Sequence, residues 1–151
     1  MRSSVLISGL IALATCLVGC ESGNDGPSGS GILTGKWSGT MTHYRSSSYM
    51  YRTLTYTWKM ELSHNGDAVS GSETHTLANT SGEGTSYSMD LSGTYDASSR
   101  RLEVSGQEDT RDKHIWTYVF SVAADAASMT LTEYYIDGIK YSGRTGSLTH
   151  E

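Results

Sequence analysis

From Ile32 onward, apolar and polar positions alternate with a period of two. That period marks strands with one buried face, because successive side chains of a strand point to opposite sides. The alternation predicts a first strand over about 33–43, with Leu33, Gly35, Trp37, Gly39 and Met41 on one face. Lys36, Ser38, Thr40 and Thr42 take the other. After a polar, aromatic loop over 44–49, Met50, Leu54, Tyr56, Trp58, Met60 and Leu62 alternate with Thr, Lys and Glu in a second strand. Asn65-Gly66 reads as a type I′ hairpin turn, in which both central residues take positive φ. A two-residue loop there pairs His64 with Asp67, Leu62 with Val69, Trp58 with Glu73 and Tyr56 with His75. Glu73 and His75 then fall on the apolar face.

The pattern continues to the end of the chain. Tyr87, Met89, Leu91, Gly93 and Tyr95 share a face, and after a turn over 96–100 so do Leu102, Val104, Gly106 and Glu108. A charged loop over 109–113 precedes His114, Trp116, Tyr118, Phe120 and Val122. The alanine-rich connection at 123–127 has room for one helical turn. Met129, Leu131, Glu133 and Tyr135 continue the inner face. Asp137-Gly138 is a second type I′ signal, and a last strand over 140–149 turns Ser142, Arg144, Gly146 and Leu148 inward.

About eight antiparallel strands with short connections result. A sheet with one apolar face and that many strands closes, because closure removes its edges. The predicted fold is all-β: a single antiparallel up-and-down barrel, with a two-sheet sandwich as the alternative. The outer face is Thr, Ser, Lys, Asp and Glu, costly against lipid, so the barrel is expected to be soluble and not an outer-membrane pore.

The first thirty residues do not follow this pattern. Met1-Arg2 is followed by a mostly apolar run over 5–18, which has signal-peptide length and is too short for a stable span. The run ends in Leu17-Val18-Gly19-Cys20, which resembles the lipobox of bacterial lipoproteins. That resemblance implies that Cys20 is the first mature residue, with a diacylglycerol on its sulfur and an acyl chain such as palmitate on its amine. Several acyl chains anchor a protein firmly where one is marginal. The predicted organisation is a signal peptide (1–19), a lipidated cysteine with a flexible Gly/Ser-rich linker (20–31), and a barrel domain (32–151). The expected location is extracytoplasmic, on a bacterial membrane. In two-membrane bacteria, Asp after the lipidated cysteine favours retention at the inner membrane. Glu21 stands there, so the outer membrane is the leading expectation, with the leaflet left open.

Composition narrows the partners. The net charge of −5 and the isoelectric point near 5.5 argue against nucleic acid as a partner. The chain's two cysteines, Cys16 and Cys20, are both taken up by leader and lipid, which leaves the barrel neither disulfide nor thiol. No Gly-x-Ser-x-Gly, His-Glu-x-x-His or phosphate-loop motif is present. A non-enzyme without a cofactor is expected, and the oligomeric state is left open.

Gly35-Lys36-Trp37 matches the Gly-x-Trp that opens lipocalins, and the domain resembles calycin-type barrels. In lipocalins that tryptophan packs at the closed end against an arginine from the end of the barrel. The resemblance makes Arg144 its counterpart. A looser avidin-like likeness runs through Leu33 to Trp37, Gly66 to Gly71 and Leu91 to Tyr95, without counterparts of the biotin-contacting side chains.

Parity places a polar set inside: Glu73, His75, Glu108, Glu133 and Arg144. A buried unpaired ion costs about 3–5 kcal/mol, and one arginine and one histidine cannot neutralise three carboxylates in a dry core. Either the interior is wet, or some carboxyls are protonated, or some lie at a mouth or at strand ends. With Trp37, Tyr56, Trp58 and Trp116 as walls, this set is the expected site for a small, partly apolar ligand. The alternative is a structural or interaction module of the envelope whose barrel its own side chains fill. Glu73 and His75 also have the i, i+2 spacing of two metal ligands, which Glu108 or His114 could extend, but no local motif supports a metal and none is predicted.

Overall fold

A computed structural model describes residues 31–47, 50–77, 85–111 and 113–151; the leader, Cys20 and the linker up to residue 30 lie outside the described residues. Among the described residues there are nine strands and no helix. They are β1 (Gly35–Ser47), β2 (Met50–Asn65), β3 (Ala68–Leu77), β4 (Ser86–Asp96), β5 (Arg101–Gln107), β6 (Ile115–Val122), β7 (Ser128–Ile136), β8 (Ile139–Lys140) and β9 (Arg144–His150). β1 to β7 pair in sequence, each antiparallel to the next. β9 then pairs with both β7 and β1, which closes an eight-stranded up-and-down barrel; the two-residue β8 is an extra strand on β7. The sandwich alternative is excluded.

The closing seam depends on a missing side chain. β1 and β9 pair from Trp37 with His150 to His43 with Arg144. A β-carbon added at Gly39 would collide with the main-chain carbonyl of Ser147. Only glycine lets the two backbones coil past each other there.

Alternation in the sequence becomes alternation in burial. β4 runs exposed–buried with Met89, Leu91 and Tyr95 inside, and Leu102, Val104, Tyr118, Phe120 and Val122 continue the core. Three details differ from expectation. First, the β2–β3 loop is Gly66-Asp67, not Asn65-Gly66, and Asn65 pairs with Ala68. Gly66 has φ 61 while Asp67 is not among the positive-φ residues, the type II′ pattern. Pairing therefore slips by two residues: Trp58 faces His75 and Met60 faces Glu73. Because two is the strand period, every side chain keeps its face.

Second, β7 carries a bulge. Val119 pairs with Glu133 and Phe120 with Leu131, leaving Thr132 as the extra residue. Its hydroxyl donates to the Val119 carbonyl at 3.0 Å. A bulge reverses parity beyond it. Tyr134 therefore turns inward (2 % exposed), while Glu133 and Tyr135 turn outward.

Third, the last strand is split. Asp137 (φ 51) and Gly138 (φ 77) make the expected type I′ turn into β8, but residues 141–143 leave the sheet before β9 begins. Ser142 is exposed and not inside.

The two ends of the barrel differ. At one, Leu33 is fully buried ahead of β1, and its carbonyl accepts the Trp37 indole N–H at 3.0 Å. His150 lies against Trp37 with ring centroids 4.7 Å apart. This end is closed, and histidine takes the place that the lipocalin resemblance gave to Arg144. Arg144 lies at the other end, opposite His43.

Candidate functional site

The barrel axis is packed with rings. Trp58 is fully buried, 5.1 Å from Tyr118 and 5.3 Å from Phe120 by ring centroids. Trp37 and Trp58, expected as ligand walls, are instead core side chains, and Trp37 belongs to the closed end. Side chains this large fill the interior of an eight-stranded barrel.

Polar groups lie beside these rings, His75 directly opposite Trp58. Glu73 and His75, from the inner face of β3, are both 1 % exposed. The His75 Nδ1–H donates to Glu73 Oε1 at 2.7 Å, while Glu73 Oε2 finds no protein partner among the described residues. Three rings surround the imidazole: Tyr87 stacks at 5.0 Å, Trp116 tilts at 5.3 Å, and Tyr56 meets it edge-on at 5.5 Å. The pair is a desolvated layer of the core. Burial pushes the Tyr118 hydroxyl well above the usual phenol range, and the nearby Glu73 carboxylate pushes it further. Glu108, just past β5, is 5 % exposed, and its charge acts in the same direction on both Tyr118 and Tyr134.

At the open end lies a pocket of ≈ 500 Å³. Leu54 and Tyr56 of β2, Tyr134 and Ile136 of β7, Tyr141, and Arg144 of β9 supply its walls, with His43, Tyr44 and Ser142 at its border. Its size falls in the usual range for small-molecule sites, which are mostly apolar with a few converging polar groups. The Arg144 guanidinium lies flat on aromatic surface, its carbon 4.0 Å from the centre of the Tyr134 ring and 4.9 Å from that of Trp116. One of its N–H groups points at the Met41 sulfur, 3.8 Å away. Burial raises the Tyr134 hydroxyl more than the Arg144 charge lowers it, so the phenol stays a neutral O–H.

The expected site residues thus separate. Tyr56 and Arg144 line the pocket, and Trp116 supports Arg144. Glu73, His75 and Glu108 lie beneath it, inside the barrel as parity predicts. Glu133 does not belong: it is outside, bonded to the Tyr135 hydroxyl and 3.3 Å from Lys140. Both contacts hold its carboxyl below the usual range, the hydroxyl bond foremost. Its inward placement fails because the bulge at Thr132 reverses the phase of β7. His114 is exposed and bonded to Asp137 at 2.7 Å. Among the described residues, no three His, Cys, Asp or Glu side chains converge in a way that could hold a metal.

Sequence parity missed Tyr134 and Ile136. The signal was present: Met129 and Leu131 are odd-numbered, whereas Tyr134 and Ile136 are even, and a strand keeps both pairs inside only by inserting a residue between them. Taking Glu133 as an inner residue hid that change of phase.

Fold and pocket define a small antiparallel barrel, closed at one end and cupped at the other, of the general kind to which lipocalins belong. Compared with known families and with curated proteins, the chain matches no family model and no curated sequence.

Proposed function

We propose that this is a lipocalin-like, non-catalytic binding lipoprotein, anchored through Cys20 outside the cytoplasm. It holds a small, partly apolar ligand in the cup at the Arg144 end. The observation that carries this reading is the ≈ 500 Å³ pocket, with aliphatic and tyrosine walls and a single guanidinium. The ligand sits in the cup and not along the axis, where Trp58, Tyr118 and Phe120 leave no room. Native mass spectrometry of the mature chain, isolated without refolding, tests this. An added mass that is lost on denaturation, and that weakens on Tyr56→Ala, supports the reading; a bare mass together with no binding by any small molecule in titration counts against it. The lipid is tested separately, by the intact mass of the membrane-extracted chain and its loss on Cys20→Ser.

A second reading has its own observation. The axis is filled, and Tyr44, Ile115, Ile139 and Tyr141 stand exposed near the open end. Exposed apolar groups of this kind suit a protein contact, so an interaction module of the cell envelope is the alternative. Tyr141→Ser with Ile139→Ser separates the two, because it abolishes a protein contact while leaving most of the cup's wall intact.

A further inference from the structure

Beside the cup three buried proton donors are left without an acceptor among the described residues. Arg144 Nε, Trp116 Nε1 and the Tyr134 hydroxyl are buried and have no hydrogen-bond partner among the described residues. The three side chains touch: the guanidinium lies on both rings, and the rings are 5.6 Å apart. Two of the three atoms can only donate, and the third carries a proton at every ordinary pH. Among the described residues Arg144 forms no ion pair, and its one polar contact is a thioether, a poor acceptor.

The charge around the cup agrees. Of the residues lining it, Arg144 and His43 are basic and none is acidic. Yet the molecule as a whole is acidic, with 16 Asp and Glu against 11 Lys and Arg. Other described Lys and Arg side chains, such as Lys36, Lys59, Arg101 and Lys140, are exposed. A guanidinium that is partly desolvated and left without a carboxylate is costly unless something else supplies the anion. Glu73 does not, as it is committed through Oε1 to His75 and does not line the cup.

We infer that the cup takes an organic carboxylate, with its acid group on Arg144 and Tyr134 and its apolar body against Leu54, Tyr56 and Ile136. Carboxylate is the acceptor whose two oxygens match the edge of a guanidinium. This inference rests on the binding reading above and adds to it the charge and the polarity of the ligand.

Calorimetric titration of the full chain with 4-phenylbutyrate and with 4-phenylbutan-1-ol tests it, because the two probes share a body and differ in the head. The acid should bind at least tenfold more tightly, a difference of about 1.4 kcal/mol. Arg144→Met keeps the stem that covers the rings and should bring the two probes level by weakening the acid alone. Tyr134→Phe should weaken the acid severalfold and spare the alcohol. It carries the test by itself if Arg144→Met does not fold. Equal binding of acid and alcohol by the native chain, or an acid preference that survives Arg144→Met, overturns the inference and leaves the binding reading standing. Binding of neither probe overturns the inference, while the binding reading stands or falls on the native mass spectrum.

Discussion

A single hydrogen bond decides whether the centre of this barrel is tolerable. Glu73 and His75 neutralise each other's polarity at 2.7 Å in a layer with almost no solvent contact. Removing one partner leaves the other desolvated and alone, so His75→Ala should cost about 3–5 kcal/mol in urea unfolding at neutral pH. Replacing both with leucine should cost much less, because no polar group is then left unmatched. If the double variant is as unstable as the single, the coupling argued here is absent. At the surface, Asp96 shows how local bonding sets acidity. Its oxygens accept from the Ser98 hydroxyl and main-chain N–H and from the Ser99 hydroxyl at 2.7–2.9 Å. The Ser98 and Ser99 hydroxyls foremost hold its carboxyl down at about 2, below the 3.8 of a free aspartate. A depressed carboxyl stabilises the fold above its unfolded value and loses that contribution as pH falls through the folded one. The stability difference between the native chain and Asp96→Asn should therefore be constant above about pH 5, shrink as pH falls, and be lost only below about pH 2. A difference independent of pH would sink the assignment.

At the level of strands, most of the architecture could be read from alternation, because one face of each strand meets either solvent or core. β4 and β5 follow it throughout their lengths. The β2–β3 hairpin shows what alternation leaves undetermined. Two registers two residues apart bury the same side chains, and the choice between Asn65-Gly66 and Gly66-Asp67 falls to turn geometry alone. In β7 alternation misleads, because no glycine marks the inserted Thr132 and Glu133 beside it passes for an inner residue. The bulge makes a sharp prediction about deletions. Without Thr132, Leu131 and Tyr134 remain in phase across an uninterrupted ladder, so that deletion should fold and cost under about 2 kcal/mol. Deleting Thr130 instead forces either Leu131 or Met129 outward, at about 2–5 kcal/mol for the lost burial. Equal tolerance of the two deletions in thermal unfolding would contradict the bulge. The closing seam is equally specific: Gly39→Ala should destabilise by at least about 1 kcal/mol, through its clash with Ser147, while an alanine at exposed Gly66 acts only through backbone strain.

For the molecule as a whole, the sequence identified a polar interior but not where it opens. Parity correctly turned Glu73, His75, Glu108 and Arg144 inward, yet it has no axis. It could not separate Trp37 at the closed end from Arg144 at the cup, or tell a filled barrel from a hollow one. Those distinctions come from ring volumes meeting at the centre and from the stagger of neighbouring strands, which a one-dimensional pattern does not contain. The lipocalin likeness anticipated a capped tryptophan, and Trp37 is capped, though by His150.

The even number of strands in the closed barrel has a further consequence. A chain that crosses a cylinder eight times returns to the pole from which it set out, and Thr34 at the start and His150 at the end do lie together there, with His150 against Trp37. The cup is at the opposite pole. His43 lies six residues along β1 from Trp37, about 20 Å of strand. The chain entering at residue 31 therefore joins the barrel at its closed pole, and the rim lies at the pole farthest from that join.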